Sequence, residues 1–391
     1  MEQVLYKLPD GWKWETLTDV TQFIGGSQPP KSEFSDTERD GYVRLIQIRD
    51  YKTDAHIVYV DKNSTKKFCN RDDVMIGRYG PPVFQILRGL EGAYNVALMK
   101  AVPDENVLSK DYLFAFLQSS PIQSYIVGLS QRAAGQSGVN KKALENYSIP
   151  IPPLTEQKRI VKKLDALLSR IDSATEHLQS KLDLSKQLFD SVLDEFFKLS
   201  DCDSVPLTEV VDFIGGSQPP KSQFSDVQKE GYVRLIQIRD YKTDNHIVYV
   251  DSASTKKFCT KEDVMIGRYG PPVFQILRGL DGAYNVALMK AVPNEDVLTK
   301  DYLFWFLQSP SIQNYVIGIS QRAAGQSGVN KKALEKYLIP VPSKTIQNDI
   351  VDKVGQLVNK SRNLEAEVTA EITSLNQLKA SILDSAFKGE L

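Results

Sequence analysis

A chain of 391 residues, 41% hydrophobic and 25% charged, holds enough apolar material for two or three globular domains and too much for a disordered polymer. No apolar run approaches the roughly 18–20 residues of a membrane span, and the opening "MEQVLYKLPDGWKW" has no signal-peptide core, so a soluble, cytoplasmic protein is expected. Lys and Arg (48) balance Asp and Glu (49), which argues against a uniformly basic surface, while Cys69, Cys202 and Cys259 have neither metal spacing nor a disulfide framework.

From about residue 12 to 153 the chain alternates short β-like runs, "YVRLIQI", "HIVYV" and "VALMKAV", with turn signals such as "PDG", "GGSQPP", "RYGPP" and "AAGQSG". "KDYLFAFLQSSPIQSYIVGL" predicts a short helix within this region. From about 156 the texture changes to some 43 residues without Gly or Pro, with Thr155 placed to cap a long helix. Ile160, Leu164, Leu167, Ile171, Ala174, Leu178, Leu182, Ser185, Leu188, Val192 and Phe196 fall at steps of three and four, the narrow seam of a coiled coil.

After residue 200 the text begins again. "GGSQPPKS" starts at Gly25 and at Gly215, and "DVMIGRYGPPVFQILRGL" at Asp73 and at Asp263; the offset of 190 holds without a gap to the C-terminus. The second seam runs through Ile350, Val354, Leu357, Ser361, Leu364, Val368, Ile372, Leu375, Leu378 and Ile382. At 1.5 Å per residue each helix is about 60 Å long. Two parallel helices would crowd both bodies at one end, so an antiparallel pair with a pseudo-twofold axis is expected. The fold class is α+β: two tandem α/β bodies, residues 1–154 and 201–344, joined by two long helices, 155–200 and 345–391, in an antiparallel coiled-coil spacer.

Catalytic motifs are missing. There is no phosphate-binding G-x-x-x-x-G-K-[ST] loop and no dinucleotide fingerprint, and the three histidines, His56, His177 and His246, suggest no metal site. "GRYGPPVF" resembles the [DN]-P-P-[YF] loop that holds a flipped base in amino-methyltransferases, but Gly80 replaces the polar residue and Val83 the aromatic. No cofactor is expected in this chain.

What remains suits recognition. Residues 41–150 and 231–340 each hold 14 Lys/Arg against 10 Asp/Glu, so the positive excess sits in the bodies. In the first body Lys31, Arg44, Gln47, Arg49, Tyr51, Lys52, Arg78 and Tyr79 are candidate DNA contacts, joined by Arg132, Gln136, Ser137, Asn140 and Lys141 of a glycine-punctuated segment. Their copies are Lys221, Arg234, Gln237, Arg239, Tyr241, Lys242, Arg268, Tyr269, Arg322, Gln326, Ser327, Asn330 and Lys331. Arg with Gln or Asn is the set that reads guanine and adenine edges, and Lys and Ser suit phosphates. A helical scaffold with protein-binding heads is the alternative use of such a chain.

Three stretches resemble the specificity subunit of type I restriction–modification systems: "LPDGWKWETLTDV" (8–20), the Pro-rich hinge and helix "IPIPPLTEQKRIVKKLD" (149–165), and "ILDSAFKGEL" (382–391). The resemblance implies two target-recognition domains that each read half of a split sequence in double-stranded DNA. It implies that the helices dock two methyltransferase subunits, that restriction–translocase subunits join the complex, and that S-adenosylmethionine and ATP are used by those partners. The second hinge departs from the pattern, with Ser343 and Ile346 where the first has Pro153 and Glu156. The bodies also match each other unusually well: residues 41–100 and 231–290 differ at seven positions (55, 62, 63, 70, 71, 72 and 91 of the first copy), all outside "RLIQIRDYKTD" and "IGRYGPP".

Overall fold

The computed structural model describes residues 3, 5–130, 138–198, 202–322 and 328–391. The chain forms two compact units, Met1–Leu178 with Thr369–Leu391, and Gln179–Val368. Each unit therefore contains one body and part of both long helices, whereas the boundaries read from the sequence follow the change of texture from body to helix.

In the first body, Lys13–Thr16 pairs with Ser148–Ile151 as a small antiparallel sheet. A four-stranded antiparallel sheet has the order Thr21–Gly25, Leu98–Pro103, Val74–Gly77, Gln85–Leu87. A five-stranded sheet has the order Phe34–Ser35, Tyr59–Asp61, Tyr42–Ile46, Gly92–Tyr94, Phe68–Cys69, with Tyr42–Ile46 running parallel to Gly92–Tyr94. Leu17, Phe23, Val74, Ile76, Leu113 and Ile149 are buried in the main core. Cys69 is buried in a smaller cluster with Ile46, Met75 and Tyr94, as befits a small apolar side chain. The second body repeats this layout, with Tyr232–Ile236 parallel to Gly282–Tyr284.

Three local expectations change. "KDYLFAFLQSSPIQSYIVGL" is two helices, Lys110–Leu117 and Ser120–Ser130, because Pro121 lacks the N–H that would carry the first helix onward. Pro310 opens the corresponding helix of the second body. His56 lies in a turn ahead of Tyr59–Asp61, not in a strand. Thr155 does not cap the first long helix, which spans Leu154–Lys198; the Pro153 carbonyl accepts from the N–H groups of Glu156 (2.8 Å) and Gln157 (3.0 Å) and so starts the ladder itself.

Gln157 then ties the helix to the body. Fully buried, it accepts from the Ser109 N–H at 2.9 Å and donates to the carbonyls of Val107 (2.7 Å) and Pro152 (2.9 Å). Gln347 makes the same three bonds, to Thr299, Val297 and Pro342, at the start of Lys344–Lys388. The second hinge keeps this lock despite Ser343 and Ile346. A buried amide with its donors and acceptor satisfied fixes direction, since any other pose strands a polar group.

Within the first unit, Ile160 and Leu164, near the start of the first long helix, share a core with Leu383, Ala386 and Phe387, near the end of the second. Lys379 pairs with Asp172 at 2.6 Å in the same unit. Within the second unit, Leu193 and Phe197, near the end of the first helix, share a core with Ile350 and Val354, near the start of the second. Each unit by itself thus brings together opposite ends of the two helices, the antiparallel arrangement.

The seam holds through most of its length. Ile160, Leu164, Ile171, Ile350, Val354 and Val368 are buried, and Leu167, Leu178, Leu357 and Leu364 are partly so. It fails towards each C-terminal end, where Leu188 is 64% exposed and Leu378 49% exposed. There Leu193, Phe197 and Leu383 are buried, each one residue beyond the seam positions Val192, Phe196 and Ile382, and Ala386 and Phe387 are buried further on. A straight helix drifts by about 20° per heptad from a 3.5-residue repeat, so its last turns present a different stripe, which packs on the body.

Candidate nucleic-acid interface

Close loop contacts tie together several segments of the first body that carry candidate residues. Beyond the strand Thr21–Gly25, Gly26 passes so close to the next loop that a Cβ there would lie 2.0 Å from the Asn95 carbonyl oxygen. Only glycine allows that approach. The Ser27 N–H then bonds the Tyr94 carbonyl at 3.2 Å, and Pro29–Pro30 lead into the turn Lys31–Glu33. The Asn95 N–H bonds the Ile46 carbonyl at 3.1 Å, which brings the end of strand Tyr42–Ile46, and hence the 3-10 turn Ile48–Tyr51, to the same loop.

Arg78 and Tyr79 complete the surface. Arg78 Nη1 donates to the Val96 carbonyl at 3.1 Å, and its guanidinium carbon stands 5.2 Å from the centroid of the Tyr79 ring. Tyr79 is 42% exposed beside the equally exposed Val96. Gly138 bridges to Tyr79, and a Cβ on it would lie 2.9 Å from the ring. Residues 79–82 are exposed because the chain turns back at buried Phe84, whose φ of +64° is uncommon for a residue with a side chain. The second body repeats each feature at Gly216, Arg268, Tyr269, Phe274, Val286 and Gly328.

The candidates divide by surroundings. Lys31 and Lys52 are exposed, as are Lys221 and Lys242, and none of the four makes an ion pair among the described residues. Arg49 is half-exposed, its Nη2 donating to the His56 carbonyl at 3.4 Å; Arg239 does the same towards His246. Arg44 is mostly buried and its Nη2 pairs with Asp54 at 2.8 Å, as Arg234 pairs with Asp244. Gln47 and Asp50 form a capping box across the turn Ile48–Tyr51, and Gln237 and Asp240 form its copy. Burial pushes the Asp50 carboxyl above its usual range, although the Gln47 N–H and the guanidinium groups of Arg44 and Arg49 pull the other way.

Two groups of candidates are corrected. The Tyr51 and Tyr241 hydroxyls are buried beside the clusters of Cys69 and Cys259, without a hydrogen-bond partner among the described residues, so neither reaches a groove. Asn140 and Asn330 cap the short helices Lys141–Glu145 and Lys331–Glu335, accepting from Ala143 and Ala333 through their side chains. Lys141 is 3.4 Å from Glu145 in a cleft with Asp19 and Asp104, and Lys331 is 3.4 Å from Glu335. Arg132, Gln136, Ser137, Gln326 and Ser327 lie outside the described residues, as does the side chain of Arg322. Reading the sequence by type missed Asp50, Asp54 and Val96; the Gln47–Asp50 spacing of a capping box was the one available signal.

Residues 9–183 and 200–374 match the type I restriction modification DNA specificity domain. The chain is 26% identical to the EcoKI specificity subunit of Escherichia coli (strain K12), across 98% of this chain and 90% of that protein. It is 25% identical to the EcoBI specificity subunit of Escherichia coli, across 99% and 88%. Among solved structures, a chain from a study of complex assembly and conformational transition in the type I R-M system shares its fold with a TM-score of 0.76 at 22% identity, covering 99% and 100%. The HsdS subunit from Thermoanaerobacter tengcongensis gives 0.54 at 22% identity, with full coverage of both chains. Two domain matches spanning nearly all the described fold, one on each body with its adjoining helix, place this chain in the type I restriction modification DNA specificity family.

Proposed function

We propose that the two bodies read the same half-site on opposite strands of double-stranded DNA, so that the full target is an inverted repeat with a spacer of one fixed length. The observation that carries this reading is the near-identity of the bodies at the candidate surface: Arg49, Lys52, Arg78 and Tyr79 recur as Arg239, Lys242, Arg268 and Tyr269 in the same local geometry. Opposite helix ends meet within each unit, as expected if a twofold axis relates the readers. Half-sites on one face of B-DNA recur about every 34–36 Å, so centre-to-centre separation near one turn is expected. Mapping methylated adenine in a genome that carries the complex tests this; two unrelated halves, or a direct repeat, would refute it.

The chain positions enzymes and does no chemistry itself. The long helices dock two methyltransferase subunits, one per half, and leave apolar contacts such as exposed Leu184, Leu188 and Leu378 for partners. S-adenosylmethionine and ATP are bound by the methyltransferase and restriction–translocase partners. Purified chain with DNA and S-adenosylmethionine should transfer no methyl group until methyltransferase is added.

A further inference from the structure

The turn Ile48–Tyr51 encloses a charge that capping alone does not explain. The Asp50 side chain is wholly buried. Its Oδ2 accepts from the Gln47 N–H at 3.0 Å, a bond that a neutral Asn or Ser would make as well. Among the described residues its Oδ1 has no hydrogen-bond partner, and it lies 3.8 Å from Arg49 Nε. Arg44 Nε, 3.9 Å from Oδ2, is likewise buried without a hydrogen bond. The second body repeats the arrangement: Asp240 Oδ1 and Arg234 Nε are unpartnered, and Arg239 Nε lies 3.9 Å from Oδ1. A buried charge short of hydrogen bonds costs stability, and burial raises the pKa of both carboxyls. Arg44, itself held by Asp54, meets part of that charge.

The other guanidinium beside the carboxylate is that of Arg49, which, unlike Arg44, is half-exposed. That side chain lines an open cleft of about 570 Å³ with Asp36, Asp54 and His56. A phosphate is repelled by two carboxylates in such a cleft, whereas base edges offer neutral acceptors to the guanidinium and amines to the carboxylates. A bidentate contact favours a guanidinium already turned to its target; here Nη2 donates to the His56 carbonyl at 3.4 Å and the Asp50 carboxylate attracts Nε from 3.8 Å.

We propose that Asp50 and Asp240 are positioning residues for base reading, their buried carboxylates orienting the guanidinium groups of Arg49 and Arg239 towards a base edge in their own half-sites. This rests on the reading of the bodies as DNA readers, and the variants below separate the two.

The test incubates full-length chain, alone or assembled with its methyltransferase, with a pool of random-sequence duplexes and sequences those retained. Asp50→Asn keeps the shape and the cap acceptor but removes the charge. It should cut base discrimination in the first half-site by about tenfold or more, the range of a lost bidentate contact, and leave the second half-site intact. Affinity for random duplex should hold or rise, because one repelling carboxylate is gone, and the melting temperature should not fall. Asp240→Asn should do the same in the second half-site. If Asp50→Asn melts early, Asp50→Ser, which also supplies a cap acceptor, is judged by the same measures. Loss of discrimination in Arg49→Ala with discrimination intact in Asp50→Asn overturns the positioning role and leaves the reading of the bodies standing. Intact discrimination in Arg49→Ala also overturns the positioning role, since no base contact is then left for Asp50 to orient; no preferred sequence at all with the unaltered, assembled protein would overturn the reading of the bodies. Equal loss of specific and random affinity, together with a lowered melting temperature, shows Asp50 to be structural only and overturns the proposal.

Discussion

Arginine and lysine carry the same charge on this surface but meet different surroundings, and the difference assigns them different work. Arg49 sits among carboxylates beside an open cleft, so Arg49→Ala and Arg239→Ala should each lose about 1–3 kcal/mol of discrimination in their own half-site. Lys52 stands exposed without an ion pair among the described residues, so Lys52→Ala should weaken binding to every sequence and flatten the salt dependence by about one unit of slope. Titrating specific and random duplexes at several salt concentrations measures both effects. Equal loss on the two duplexes for Arg49→Ala would make it a phosphate contact. Lys141, beside Glu145, should matter less than Lys52, since its charge is already partly met.

At the scale of the element, the long helices are specified twice, by a seam along their length and by a lock at their start. Leu164 is buried against the C-terminal end of the other helix within the first unit, whereas Leu188 is largely exposed although both fit the seam. Leu164→Ala should therefore cost about 2–5 kcal/mol of stability by opening a cavity, and Leu188→Ala should stay within about 0.5 kcal/mol. Denaturant melts of the two variants decide it, and equal costs would mean that the seam continues to the helix ends. The buried amides of Gln157 and Gln347 explain how a hinge that differs in sequence holds the same geometry. What both hinges share there is one side chain that satisfies three backbone groups, including the carbonyl of the proline they have in common.

At the scale of the whole molecule, the repeat makes the strongest demand. If the bodies read alike, exchanging Gly41–Lys100 for Gly231–Lys290 should leave the methylated sequence unchanged, because the seven differences lie outside the candidate motifs. A changed target in the exchanged protein would place reading residues at those seven positions. Two equivalent halves should also hold two methyltransferase subunits, and native mass measurement of a stable complex with only one would contradict that.

The sequence by itself determined the repeat, the change from body to helix, the helical seam and the kinship, because each is written as spacing along the chain. A 190-residue offset, a three-and-four step and a Pro-rich hinge survive without any knowledge of neighbours. Only the tertiary structure decided which polar residues face outward. Tyr51, Asn140 and Arg44 have the composition of a DNA-reading surface, yet one hydroxyl is buried, one amide caps a helix and one guanidinium is paired with Asp54. Asp50, a turn residue by its letter, sits beneath the surface with an unpartnered oxygen. Seam position Leu188 was lost for a related reason: helical drift and the nearby body choose the buried stripe at the helix end. Periodicity is a property of the chain, but burial and partnership depend on residues distant in sequence, and those decide what a polar side chain is free to touch.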